Sequence, residues 1–249
     1  MNIIQELSRF NDITFFDHNH TYNFGDGSPS RISTTALVGK FEPFFDAANI
    51  SARVAARDNR TVASVLAEWE EKKVAGCTKG TNFHAYAENR INSRVFPSAV
   101  SSDLQKQFLS FMKHTKNVLI PVKSEWVIGD KALGITGMID QLFFNLKTKK
   151  FHIFDWKTNG KMEMESLYDS FMLPPVDHLD SCNYNTYSLQ LEIYRHILET
   201  NTKLPMGKAA LVWFHEDNED FELIPTKNYR HEVSLILEFW KNNLISKKK

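Results

Sequence analysis

The sequence predicts an α/β protein, a mixed β-sheet flanked by helices. Three observations carry this. The middle of the chain, residues 121–128, 134–145 and 151–158, is rich in β-branched and aromatic residues and alternates apolar with polar. Segments with apolar residues at helical spacing lie on both sides of it. Two more short apolar runs, 209–214 and 221–224, follow a helical segment, so strands and helices interleave rather than segregate.

Taken in order, residues 13–16 and 21–24 read as two short strands joined by the turn-prone 17–20, and 25–29 as a second turn. Ser33, Thr34 and Thr35 precede a short apolar run and provide a helix N-cap. Residues 46–58 are alanine-rich and helical. Residues 61–75 repeat the pattern, with Val62, Val65, Leu66 and Trp69 on one face. Gly76 is expected to break that helix, and 78–94 to begin another. In it, His84 and Glu88 stand one turn apart. The pair is either a metal ligand with its support or a surface His–Glu contact. Gly80 either lets backbone approach closely or separates two helices. Residues 101–117 form an amphipathic helix with Leu104, Phe108, Phe111 and Met112 inward.

The strand at 121–128 places Glu125 near Asp140 or leaves it as an exposed acid. After Thr158 the chain is irregular for almost thirty residues, a length that in a compact domain is functional or mobile. Residues 187–200 are helical, with Leu189, Ile193, Ile197 and Leu198 inward and Gln190 and Tyr194 one turn apart. The strands 209–214 and 221–224 and a helix over 229–246 close the chain.

The chemistry concentrates in the hairpin of 134–145 and 151–158, whose loop, 146–150, is short and polar. With Asn145 facing Lys150, Asp140 lies opposite Asp155. Lys157 then projects from the same face, beside Met138. Ile139, Leu142, Phe143, Ile153 and Phe154 surround these charges. Two carboxylates about 4 Å apart at an effective dielectric of about 20 repel by about 4 kcal/mol. A divalent cation relieves that repulsion, and paired hard oxygens suit Mg²⁺ or Mn²⁺. Lys157 alone, or a slipped register, would relieve it too.

Whole-chain properties narrow the class. At 249 residues the chain suits one domain, 1–249, divided into an N-terminal elaboration (1–75) and a core (76–249). With 42% hydrophobic and 24% charged residues it can bury a core and is not disordered. The formal net charge is zero, so any nucleic acid must meet a local basic groove. Cys77 and Cys182 are too few for a four-thiolate metal site. No apolar run reaches membrane-spanning length, and the start lacks the marks of a secretory signal or transit peptide. The expectation is a soluble intracellular protein with no membrane partner. Lys247, Lys248 and Lys249 read as a solvated tail.

These residues match a known pattern. The sequence resembles the RecB-like exonuclease branch of the PD-(D/E)XK nuclease superfamily, which includes phage exonucleases and a mitochondrial genome-maintenance exonuclease. Ser33, Thr34 and Thr35 resemble its small-Thr element. Gly80, Thr81, His84 and Glu88 resemble its Gly-Thr-x-x-His-x-x-x-Glu helix, and Gly137 with Asp140 its Gly-x-x-Asp strand. Asp155, Lys157 and Thr158 resemble the (D/E)-x-K signature, and Gln190 with Tyr194 the Gln-x-x-x-Tyr helix. Five motifs in order make the likeness specific, although each alone is weak. The chain departs in having no proline before Asp140. It lacks the four cysteines of iron–sulfur members and the phosphate loop of helicase fusions.

The resemblance implies a restriction-endonuclease-like sheet, with 76–249 as nuclease core, and a metal-dependent DNA exonuclease of phage or bacterial recombination, repair or replication. Mg²⁺ or Mn²⁺ would be held by Asp140, Asp155, the backbone carbonyl of Trp156 and His84. Glu125 would serve a second ion or orient water. Lys157 would position or deprotonate the attacking water, and Glu88 would support His84. Gln190 and Tyr194 would back the site or touch DNA. Partners implied are DNA, single-stranded or at ends, and a single-strand-binding or recombination protein, in the cytoplasm of the cell or host. Tyr184, Tyr187 and Phe171 are candidates to stack on unpaired bases. A structure- or site-specific endonuclease, or an inactive DNA-binding relative, are the other classes.

Overall fold

The computed structural model describes residues 2–94 and 98–246. The N-terminal stretch comprises α1 (Ile3–Leu7), a hairpin of β1 (Thr14–Phe16) and β2 (Thr21–Asn23), a two-residue β3 (Ile32–Ser33), α2 (Thr34–Gly39) and α3 (Ala47–Arg57). Side-chain oxygens of Asn2, Ser33 and Asp46 cap the three helices, as small polar residues at those positions should. Then come α4 (Val62–Ile91), capped by Thr61, and α5 (Ser102–Thr115), capped by Ser101. Three long strands follow: β4 (Leu119–Asp130), β5 (Ile135–Asn145) and β6 (Lys150–Lys157). The chain ends with α6 (Asn183–Asn201), β7 (Ala210–Trp213), β8 (Glu222–Pro225) and α7 (Arg230–Ser246).

The architecture is α/β, with helices flanking a six-stranded mixed sheet. Its path is β3-β5-β6-β7-β8, with β4 also paired to β5. β4, β5 and β6 form an antiparallel meander, β7 runs parallel to β6, and β3 runs parallel to β5. Alternation along β6 feeds two cores. Phe151 and Ile153 join Leu37, Leu189, Ile193, Ile197 and Ile236 under α2, α6 and α7. Phe154 and Trp156 join Phe83, Phe108, Phe111 and Phe214 under α4 and α5. The apolar residues expected around the hairpin charges are divided in the same way, Leu142 with the first core and Phe143 with the second.

Gly76 does not break a helix. α4 runs unbroken through Gly76 and Gly80, thirty residues in all. Two interior glycines cost about 1 kcal/mol each, which both flanks outweigh. Val65 and Phe83 are buried anchors at either side, and Glu68 pairs with Arg60 and Lys72. Between the anchors, residues 70–78 are exposed on every face. Of the expected inward face of the first half, only Val65 is fully buried, while Val62 and Leu66 remain exposed. The middle of the helix therefore bridges open space, and only its second half, with Phe83, Tyr86 and Ala87, covers the sheet. β3, from the first 75 residues, is part of the central sheet. Residues 158–182 contain neither helix nor strand, as expected, and α6 begins at Asn183, four residues before the apolar periodicity shows it. The terminal lysines, Lys247 to Lys249, lie outside the described residues. Among the described residues no helix is long and apolar enough to cross a membrane.

Candidate metal centre

One edge of β5 is shared by two strands that do not meet. β3 pairs with Ile135 and Thr136, and β6 pairs with residues 141–145. Between them the ladder has no partner on that edge, and the site lies there. The register is the expected one: Asn145 faces Lys150, and the pairs continue to Gln141 and Phe154. Asp140 and Asp155 are the next step. At that step the ladder has ended, and the Asp140 carboxylate takes the N–H of Trp156 at 2.8 Å. Gly137 makes room for α6. A Cβ there would fall 2.4 Å from Cε1 of Tyr194 and 3.0 Å from the Thr34 hydroxyl.

Glu125 reaches the site from the other side of β5. It falls between the pairs Ser124–Gln141 and Trp126–Ile139, level with Asp140. Its φ is +44°, a left-handed conformation rare for a non-glycine inside a strand. Its Oε1 lies 3.3 Å from Nδ1 of His84, which is 3.6 Å from Asp140 Oδ1. Nε2 of His84 is 3.2 Å from the Trp156 carbonyl oxygen. Ligand atoms of His84, Glu125 and Asp140 all lie within 4.8 Å of one another. Neighbouring ligands of an octahedral ion bound at about 2.1 Å stand about 3 Å apart, so a small divalent cation fits with minor closure.

Asp155 stands outside that trio. It is 3% exposed, and its Oδ2 lies 2.5 Å from Nζ of Lys157. Among the described residues that ion pair is the polar contact this buried oxygen makes. Lys157 in turn sits 4.3 Å from the centroid of the Tyr187 ring.

Charges explain the protonation. Burial pushes the His84 imidazole down, but Asp140 and Glu125 outweigh it and hold it up at about 9. Burial, then the charge of Asp155, raises Asp140. Burial pushes Lys157 down, and Asp155 and Asp140 more than reverse this, so it is a firm cation. With Asp140 deprotonated and His84 neutral, three carboxylates and one ammonium would leave two negative charges, the charge of one divalent cation. Lys157 thus relieves part of the repulsion, by pairing with Asp155, and leaves the rest.

The geometry brings together His84, Glu125, Asp140, Asp155, Lys157 and the Trp156 carbonyl. Gln190 donates to the Tyr194 hydroxyl at 2.8 Å, and Tyr194 is buried beside Gly137. Glu88 does not support His84: its carboxylate pairs with Arg94, and the imidazole is held by Glu125 and Trp156 instead. One helical turn sets the spacing of the two side chains, not their aim. Tyr184 is buried and donates to the Pro225 carbonyl, so it has no open ring face for a base. Phe171 is half exposed. Sequence reasoning missed Tyr22 of β2, which burial and the charge of Glu125 push up to about 12. Nothing local marks it, because the approach is made by chain far away in sequence.

The fold and site thus define an α/β protein with an acidic, histidine-containing centre at a strand divergence. No family model matches the chain, and no curated protein sequence does. Among solved structures it is similar to one titled "Crystal structure of SSO0001", at 15% identity and a TM-score of 0.33, over 84% of this chain and 73% of that one.

Proposed function

We propose that the protein is a divalent-metal-dependent exonuclease acting on DNA ends, built on a restriction-endonuclease-like sheet. One observation supports this most: the His84, Glu125 and Asp140 cluster lies against the Asp155–Lys157 pair at an open strand edge. Phosphodiester hydrolysis needs an activated water, charge relief on the phosphate and stabilisation of the leaving oxygen. His84, Glu125 and Asp140 would hold Mg²⁺ or Mn²⁺, with Asp155 and the Trp156 carbonyl at hand. The ion, when bound, supplies Lewis acidity and an acidified water.

The chain's own groups do the rest. Lys157, protonated and nearly buried, donates to a phosphate oxygen and counters the charge that develops on it. Held in that state, it orients water rather than removing its proton. Gln190 fixes the Tyr194 hydroxyl, and Tyr194 seals the site behind Gly137.

The test is digestion of end-labelled linear DNA, single- and double-stranded, and of circular single-stranded DNA, with Mg²⁺, Mn²⁺ or EDTA. Metal-dependent shortening of linear substrates, abolished in Asp155→Ala and Lys157→Ala, is expected, with circles left intact. Cleaved circles would make it an endonuclease. Bound but uncut linear DNA would make it a binding protein.

A further inference from the structure

We propose that Tyr187 is a positioning residue: its ring holds the Lys157 ammonium beside the Asp155 carboxylate. The consequence for catalysis rests on the exonuclease reading, whereas the contact itself does not.

Lysine is a flexible stem carrying a point charge, and needs fixed partners to hold one place. Among the described residues the ammonium of Lys157 makes one ion pair and one ring contact. Asp155 Oδ2 lies at 2.5 Å and the Tyr187 ring centroid at 4.3 Å. The second distance is well inside the range of about 6 Å at which a ring face attracts a cation. The lysine side chain is 17% exposed, so little water competes for it.

Tyr187 is well placed for this because it cannot follow the lysine. It sits in the first half of α6, packed against the larger core. The Tyr184 hydroxyl pins the start of α6 to the Pro225 carbonyl, and nearly three turns later Tyr194 pins the helix against Gly137. The ring is therefore a fixed wall. Its hydroxyl makes no hydrogen bond among the described residues, so the ring, not the hydroxyl, makes the contact.

The ring also answers a conflict within the site. A metal ion needs the lone pairs of Asp155, whereas a lysine with no other partner would keep them. A ring face offers the ammonium a second resting place that does not take up a carboxylate.

Two measurements test this. The first is the NMR signal of the Lys157 Hε protons in the Mg²⁺-loaded, ¹³C-lysine-labelled protein, assigned with Lys157→Arg. An upfield ring-current shift is expected, retained in Tyr187→Phe and lost in Tyr187→Leu. A wild-type signal at the position of exposed lysines overturns the proposal, whether or not the leucine variant folds. The second is kinetics on linear DNA. Tyr187→Leu should lose about tenfold in kcat with KM unchanged, and Tyr187→Phe should stay near wild type. Equal kcat in all three proteins overturns the positioning role. Should wild type cut nothing while the ring-current shift is present, the exonuclease reading falls and the contact stands.

Discussion

The Tyr194 ring lies so close to Gly137 that a Cβ at that glycine would meet Cε1 at 2.4 Å. The strand is open there, between the end of its pairing with β3 and the start of its pairing with β6. Because Tyr194 is nine-tenths buried and more, it has no room to retreat.

Gly137→Ala should therefore destabilise the protein by about 1–3 kcal/mol, the usual cost of an extra methyl in a full core. Chemical denaturation gives that number. The same substitution should also weaken metal binding, since Asp140 is three residues along the displaced strand. A shift smaller than a few tenths would show that the strand moves freely at this point.

Metal binding should depend steeply on pH. His84 ligates only when neutral, yet it is held up at about 9 by its acidic neighbours. Asp140, held up at about 8, must lose a proton as well, so Mn²⁺ affinity should rise by up to about a hundredfold per pH unit below 8 and by up to about tenfold between 8 and 9, and then level. The metal-free protein should show the opposite trend. A histidine raised above its ordinary 6.5 adds stability that is full below 6.5 and lost as pH rises to about 9. In EDTA, the stability advantage of wild type over His84→Ala should shrink across that window. Calorimetric titration and urea melts measure the two.

Glu125 and Glu88 should separate cleanly. Glu125→Gln removes a carboxylate that touches His84 and belongs to the cluster. It should cost at least about tenfold in Mn²⁺ affinity. Glu88→Gln removes only a partly exposed pair with Arg94, worth about 0–1 kcal/mol, and should leave affinity unchanged. Equal losses in both would restore Glu88 as the support of the imidazole.

Gly76→Ala should stabilise the protein by about 0.5–1 kcal/mol, because the residue is inside α4 and a Cβ there meets nothing within 4 Å. A higher melting midpoint is the expected result. No gain would mean that the exposed middle of α4 is not helical in solution.

The hairpin was legible in the sequence because its cause is local. Period-two alternation and a short polar loop set the register, and the register sets Asp140 beside Asp155 with Lys157 two residues on. The cap at Ser33 was legible for the same reason: it joins a side chain to a backbone group within one turn. The motif helices placed His84 and Tyr194 on the right elements.

Tertiary structure decided what one-turn spacing cannot. Whether a helix continues through Gly76 depends on what anchors its two ends. Whether His84 leans on Glu88 or Glu125 depends on which way the imidazole turns, and that is set by a strand more than thirty residues away. The approach of Tyr22 to Glu125, and of Tyr187 to Lys157, joins segments distant in sequence. Local propensity acts over a few residues, whereas buried charges find their partners across the whole fold. The sequence by itself determined which chemical groups this protein brings to its centre, and the packing of α4, α6 and the sheet decided which of them touch.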